Sequence, residues 1–108
     1  MSTPTDKELG AGIQVVIHAA TPDALQRARN NAVNLAKEWP NSEAEIVVNG
    51  PAVKAAIEQT HATDACLRLC AHSAERFGLS IPEHLQSIPA AIVWIINRQK
   101  EGWHYIST

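Results

Sequence analysis

The segment Cys70-Ala71-His72-Ser73 places three side chains that can do chemistry close together. A cysteine is a nucleophile and a sulfur carrier when nearby donors or a helix N-terminus hold it as a thiolate. An imidazole two residues on can stabilise that thiolate or move a proton, and a serine hydroxyl can donate a hydrogen bond to it. We therefore take Cys70 as the candidate reactive residue, with His72 and Ser73 as candidate binding residues around the sulfur.

Each of these residues also has a plainer interpretation. A free cysteine is often buried and packs as a small hydrophobe, and a histidine at such a position is often a solvated residue of a first helical turn. The spacing from Cys70 to Arg76 is that of a cysteine phosphatase loop. However, the intervening residues include no glycine and place the carboxylate of Glu75 where a phosphate would bind.

The second cysteine, Cys66, lies four residues before Cys70. On a strand this spacing separates the residues by about 13 Å, which is too far for a disulfide. On a helix the separation is about 6 Å, which is just within reach of a disulfide. Two cysteines and no recognisable export signal predict a reducing compartment, the cytoplasm, where disulfides are rare. We therefore expect Cys66 to be a core residue. The five histidines show no zinc-site spacing, and we expect no metal and no cofactor.

The elements that must position Cys70 begin with alternating strands and helices. β-branched runs predict buried strands, and Pro22 and Pro51 stand where helices begin. The order is a strand at Ile13–His18, a helix from Thr21 to Trp39, a strand at Glu45–Val48 and a helix from Pro51. This alternation predicts an α/β domain with a mainly parallel sheet flanked by helices. The predicted domain spans residues 13–108, after a flexible N-terminal arm over residues 1–12.

The segment around Cys70 has two possible structures. Helical spacing favours one helix from Ala65 to Phe77, whereas the alternating order of elements favours a strand over Ala65–Cys70 and a short helix that ends at Gly78. We predict the strand, which ends at the cysteine. A connecting segment then follows at Ile81–Ile88, with Leu85 and Ile88 against the core, before a helix at Ala90–Glu101 and an edge strand at Trp103–Ile106.

Charge and apolar content restrict the partners. A net charge of -2 without a basic run gives no electrostatic reason to bind nucleic acid, and no segment has transmembrane length. Trp94, Trp103 and the apolar helix from Ala90 supply more large apolar surface than one small core readily covers. We therefore expect the chain to associate with itself, as a trimer or a multiple of it.

Several ordered motifs carry a resemblance to a known family. They are Val15-Val16-Ile17-His18, Asn31-Ala32-Val33-Asn34-Leu35, Glu45-Ile46-Val47-Val48-Asn49-Gly50-Pro51, Cys70 with Ser73 and Gly78-Leu79, and Arg98-Gln99-Lys100-Glu101-Gly102-Trp103-His104-Tyr105-Ile106. These motifs are scattered but follow one another in a fixed order between Ile13 and Ile106. On that order, the chain resembles the compact single-domain branch of the DsrE/DsrF-like sulfur-relay proteins. The resemblance implies a layered α/β fold, a homotrimer or hexamer, and a strand-end cysteine at Cys70 that carries sulfur as a persulfide.

The chain departs from the pattern of that family at two positions. His72 stands where this branch commonly has asparagine, and Ala91 stands where a glycine is usual before the last helix. The pocket beside Cys70 is therefore expected to differ from that of the relatives. Two classes of function follow: a sulfur carrier or sulfurtransferase that uses Cys70 with a donor or acceptor protein, and a non-catalytic oligomer that binds a small molecule or a partner protein.

Overall fold

The computed structural model describes residues 10–108, and it has one parallel sheet with helices on both faces. The strands are β1 (Gln14–Ala19), β2 (Glu43–Val48), β3 (Leu67–Cys70), β4 (Gln86–Ile88) and β5 (His104–Ser107). The helices are α1 (Pro22–Glu38), α2 (Ala52–Glu58), α3 (Ala71–Arg76) and α4 (Ala91–Lys100). The strand order is β4-β3-β2-β1-β5, and every neighbouring pair is parallel. The predicted α/β class is confirmed, and so is the edge position of the last strand.

The segment before Cys70 is a strand, as predicted, but it is shorter than expected. Residues Asp64–Cys66 form a 3-10 turn, and the strand begins at Leu67. The cause is Asp64, whose carboxylate accepts a hydrogen bond from the backbone N–H of His61 at 3.2 Å and pairs with the buried Arg29 at 3.0 Å. These contacts hold the chain in a turn until it reaches the sheet.

The prediction of a connecting segment over residues 81–88 is wrong at its end. Gln86–Ile88 is a strand, β4, which pairs with β3 and forms the other edge of the sheet. A three-residue strand is too short to show an alternating pattern, so the sequence carried no signal for it. Leu85 and Ile88 are both buried, as predicted. The part of the predicted flexible arm at residues 1–9 lies outside the described residues, and residues 10–12 form a turn.

The two faces of the sheet are covered differently. Alternate residues of β1, β2 and β3 bury one face under α1 and α2, in a core that includes Ile17, Leu25, Ile46, Val53 and Leu69. The other face is covered by α4, against a smaller cluster of Val16, Val47, Cys70, Ile88, Ala91 and Trp103. Cys70 therefore lies on the face that α4 covers.

A buried carboxylate attaches α4 to this face. Glu45, 2% exposed on the central strand β2, accepts two hydrogen bonds from Arg98 of α4, both at 2.8 Å, and one from the indole of Trp94 at 2.9 Å. Arg68 of β3 lies 3.3 Å from the same carboxylate. The guanidinium of Arg98 also lies between the rings of Trp94 and Trp103, at 4.6 and 4.5 Å from their centroids. The carboxylate thus joins β2, β3 and α4.

The pKa of Glu45 lies below its ordinary value. Burial acts to raise the pKa, but the hydrogen bonds from Arg98 and Trp94 and the charges of Arg68 and Arg98 outweigh it. A depressed folded pKa stabilises the fold at a pH above the unfolded value of about 4.3, and this stability is lost as the pH falls through the lower folded value. Glu45 should therefore contribute to acid unfolding.

We predict that Glu45→Gln lowers the free energy of unfolding by about 3 kcal/mol near neutral pH, since it takes the buried counter-charge from the partly buried Arg68 and Arg98. Urea unfolding measured between pH 7 and pH 3 should also show a shallower acid loss for this variant than for the wild type. The matched control is Glu58→Gln, which removes an exposed pair with Lys54 and should change stability by less than about 0.5 kcal/mol. Equal effects of the two substitutions would contradict the prediction.

Candidate functional site

Cys70 is the last residue of β3 and directly precedes α3. Its neighbours on the strand, Leu67 and Leu69, point into the larger core, so the alternation of the strand turns Cys70 to the α4 side. The residue is 5% exposed. The thiol therefore lies at the carboxyl edge of the sheet, where open α/β sheets place their ligands, and only small reagents reach it directly.

Four polar groups near the sulfur lower the pKa of the Cys70 thiol: the hydroxyl of Ser73 and the backbone N–H groups of His72, Ser73 and Ala91. Cys70 is the N-cap residue of α3, and its side chain makes no capping hydrogen bond to that helix. Ala91 is the first residue of α4, and Ala90 before it has no side-chain acceptor for the helix N-terminus. The N–H of Ala91 is thus one of the unpaired donors of that terminus, and it lowers the pKa of the Cys70 thiol.

These donors lower the pKa of the Cys70 thiol below its ordinary value. Burial alone would raise the pKa, because it disfavours the charged thiolate. The hydrogen bonds from Ser73, first through its hydroxyl and then through its N–H, and those from Ala91 and His72 outweigh that effect. The site therefore favours the thiolate, the reactive form of cysteine, more than water does.

The hydroxyl of Ser73 is oriented by the loop after β2. The N–H of Gly50 donates to the Ser73 Oγ at 2.9 Å, which leaves the hydroxyl proton available for the sulfur. Gly50 has a φ of +56°, and a Cβ at this position would meet the carbonyl oxygen of Ala20 at 3.1 Å. Only glycine combines this backbone with this close approach. The Asn49-Gly50 pair thus serves the site, although it is far from Cys70 in sequence.

The two predicted binding residues meet the sulfur in different ways. Ser73 lowers the pKa of the thiol through both its hydroxyl and its backbone N–H, whereas His72 does so through its backbone N–H. The His72 side chain is exposed, and the same N–H lies 3.4 Å from the carbonyl oxygen of Pro89. The imidazole is therefore not among the donors that lower the thiol pKa.

Cys66 lies apart from this site. It belongs to the 3-10 turn before β3 and borders a cleft with Ala32 and Thr63, on the side of α1. Both cysteines are free thiols. Cys66 has none of the donors that surround Cys70, so the two thiols should differ in reactivity.

Sequence reasoning missed a polar cluster beside the site. His18, at the end of β1, contacts the Asn49 Oδ1 through Nε2 at 2.9 Å and the Tyr105 hydroxyl through Nδ1 at 3.0 Å. The available signal was that His18 lies near the carboxyl end of β1 and that Asn49 directly follows β2. The pairing of β5 with β1 was also needed to bring Tyr105 to His18. Within residues 10–108, no three metal-ligating side chains come together.

We predict that Ser73→Ala slows alkylation of Cys70 by iodoacetamide at pH 7 by about fivefold, the effect of losing one hydrogen bond of about 1 kcal/mol. The thiol pKa should rise, so the pH profile of the alkylation rate should move to higher pH. Rates measured by mass spectrometry of the labelled peptide check this. His72→Ala is the control, because its backbone N–H is retained, and an equal slowing there would contradict the role of the hydroxyl.

Comparison with known proteins shows a likeness in fold. A scan of protein-family models and a search of curated proteins found no match. Among solved structures, the chain is similar to MTH1491 from Methanobacterium thermoautotrophicum, a protein of unknown function. The TM-score is 0.75 at 18% sequence identity, over 89% of this chain and 99% of the other. At this identity the likeness shows a shared fold, and the chemistry of the site has to be argued from its own residues.

Proposed function

We propose that this protein is a cytoplasmic sulfur carrier or sulfurtransferase that accepts sulfane sulfur as a persulfide on Cys70. The observation that carries the proposal is a buried cysteine at the carboxyl edge of the sheet, at the start of α3, where the polar groups of Ser73, Ala91 and His72 lower the pKa of its thiol. The resemblance of the ordered sequence motifs to the DsrE/DsrF-like family supports the same chemistry. A donor set of this kind stabilises a thiolate before transfer and a persulfide anion after it.

The proposed transfer consists of two thiol exchanges. The Cys70 thiolate attacks the outer sulfur of a polysulfide or of a persulfide donor, so a new S–S bond forms on Cys70 while the donor S–S bond breaks. The electron pair of the broken bond leaves with the donor thiolate. A second thiolate, on the acceptor, then attacks the outer sulfur on Cys70 and regenerates the Cys70 thiolate. No external oxidant is needed, because the sulfane sulfur keeps its oxidation state.

The shape of the site also limits the donor. Cys70 is 5% exposed and lies under the start of α4. Inorganic polysulfide is narrow enough to reach such a thiol, whereas a protein donor has to present its persulfide on a protruding segment. The donor and acceptor proteins are therefore expected to dock at the carboxyl edge of the sheet, where Ser73 and Ala91 border the sulfur.

We predict that treatment with polysulfide adds the mass of a single sulfur atom to the native protein, on Cys70. Intact-protein and peptide mass spectrometry should show this adduct in the wild type and in Cys66→Ser, and not in Cys70→Ser. Cys66→Ser is the matched control, because it leaves the donor set around Cys70 in place. Uptake by both cysteines to an equal extent, or by neither, would rule out the carrier and leave a non-catalytic binding module.

Self-association belongs to the same proposal. Ile92, Val93 and Ile96 of α4 are 69, 56 and 49% exposed, and together they form an apolar strip on the outer side of the helix. Contiguous exposed apolar surface is typical of an interface. Trp103 is buried in the chain's own core, so it does not belong to this strip. We propose that the strip contacts other copies of the chain in a homotrimer or hexamer.

Multi-angle light scattering at micromolar concentration tests the assembly. We expect the mass of a trimer or hexamer for the wild type and a smaller mass for Ile92→Glu, because the buried carboxylate would lack a partner. Ile92 is an exposed side chain, so the substitution should leave the fold of the subunit intact. A monomeric wild type would contradict the proposed assembly, and an unchanged mass in the variant would exclude the α4 strip as its contact.

A further inference from the structure

A cleft of about 430 Å³ lies between α4 and the sheet, and the steps of sulfur transfer do not use it, although Ile92 and Ile96 also belong to the α4 strip proposed for self-association. His18, Asn49, Gln99 and Tyr105 supply its polar groups, and Ile92, Ile95 and Ile96 of α4 supply an apolar wall. We call it the His18 cleft. Pockets that bind small molecules have volumes of about 300–1,000 Å³ and combine apolar walls with a few fixed polar groups. The His18 cleft has both properties.

The hydrogen bonds of His18 determine which polar groups remain free. The Asn49 Oδ1 can only accept, so the His18 Nε2 carries the proton and donates to it. The other ring nitrogen, Nδ1, then accepts from the Tyr105 hydroxyl. Within residues 10–108, the amide nitrogen of Asn49 has no partner, and the Tyr105 oxygen retains free lone pairs. The cleft thus presents the Asn49 amide as a donor and the Tyr105 oxygen as an acceptor, and the side-chain amide of Gln99 also lines it.

The charge of the cleft restricts the ligand further. The described residues that line it include no Lys, Arg, Asp or Glu. A phosphate or carboxylate ligand would have to lose water there without a cationic partner, which is costly, and a cationic ligand would meet no carboxylate. An uncharged ligand has no such cost. The apolar wall also favours a ligand with a hydrocarbon part next to its polar group.

We propose that the His18 cleft binds an uncharged small molecule that carries a carboxamide-like group on an apolar body. Its carbonyl oxygen accepts from the Asn49 amide and its N–H donates to the Tyr105 oxygen. The apolar body lies against Ile92, Ile95 and Ile96. This pairing satisfies the Asn49 amide and the Tyr105 oxygen at once, whereas a purely apolar ligand or a second apolar surface would leave both groups unpaired.

The cleft is also connected to the Cys70 site. Ala91 borders the cleft, and its backbone N–H is one of the donors to the Cys70 sulfur. Asn49 precedes Gly50, whose N–H orients the Ser73 hydroxyl. The proposal does not rest on the sulfur chemistry, since none of the contacts to the ligand involves the thiol.

Benzamide is a suitable probe, because it combines an uncharged carboxamide with a phenyl ring. In titrations of the 15N-labelled protein followed by NMR, benzamide should shift the backbone amides of Asn49, Tyr105 and α4 and reach saturation. Tyr105→Phe keeps the ring and removes the acceptor, so it should weaken binding about fivefold. Benzoate at pH 8 should bind at least about fivefold more weakly than benzamide, because it lacks the N–H donor.

Two control variants test whether benzamide binds at the His18 cleft and independently of the thiol. His104→Ala alters the neighbouring residue of β5, which lines a cleft on the opposite face with Leu35 and Trp39, and it should leave the affinity for benzamide unchanged. Cys70→Ser should also leave benzamide binding unchanged while it abolishes sulfur uptake, so the two proposals fail independently.

Three results would overturn the proposal. One is equal benzamide affinity in Tyr105→Phe and the wild type. Another is a shift of the Leu35 and Trp39 amides as large as that of the Asn49 and Tyr105 amides, which would indicate nonspecific binding to apolar surface. The third is an oligomer in which benzamide causes no saturable shifts and the α4 amides are protected from hydrogen exchange. That result would indicate that a second copy of the chain covers the cleft.

Discussion

The carboxylate of Glu45 is the group on which the arrangement of the other parts depends. It lies on the central strand, buried among apolar residues, and such a charge is tolerated only with close counter-charges and hydrogen bonds. Arg98 and Trp94 of α4 supply them, together with Arg68 of the neighbouring strand. Because these partners must stay at hydrogen-bond distance, the angle and register of α4 on the sheet are fixed. The two tryptophan rings stacked on Arg98 restrict the guanidinium to this one position.

The position of α4 has a direct consequence for Cys70. The helix has ten residues and is therefore about 15 Å long, with Arg98 near its end and Ala91 at its start. When Arg98 is held at Glu45, the start of the helix lies over the end of β3, and the N–H of Ala91 meets the sulfur. A structural ion pair and a reactive thiol are thus coupled through one rigid helix. The same helix forms the wall of the His18 cleft, so three features share a single support.

The two faces of the sheet differ in their physical character. The face under α1 and α2 is an extended apolar core, which stabilises the fold and contains no buried charge on its strands. Within residues 10–108, the face under α4 is covered by this one helix, and it holds Cys70, Glu45 and the His18 cluster. A single helix leaves the carboxyl edge of the sheet accessible on this side. The site residues therefore collect there, where the backbone donors at the ends of the strands and at the start of α4 are available.

The sequence determined most of the secondary structure, because hydrophobic periodicity and helix-capping residues are local signals. The strand that ends at Cys70 was predicted from the alternating order of strands and helices, against a helical spacing in the same segment. Thr21 and Pro22 show where α1 begins, and the β-branched runs show β1 and β2. It also singled out Ser73 beside the cysteine. It gave no signal for β4, which is too short, and it did not indicate that Glu45 would be buried rather than exposed.

Only the tertiary structure decided which distant groups meet. The strand order brings Tyr105 of the last strand to His18 of the first, and it places Gly50 at the Ser73 hydroxyl. These contacts join residues that are 87 and 23 positions apart. The periodicity of a sequence records which face of an element is buried, and it contains no information on which other element covers that face. The donors that lower the pKa of Cys70 and the composition of the His18 cleft both depend on that packing, so they followed from the fold alone.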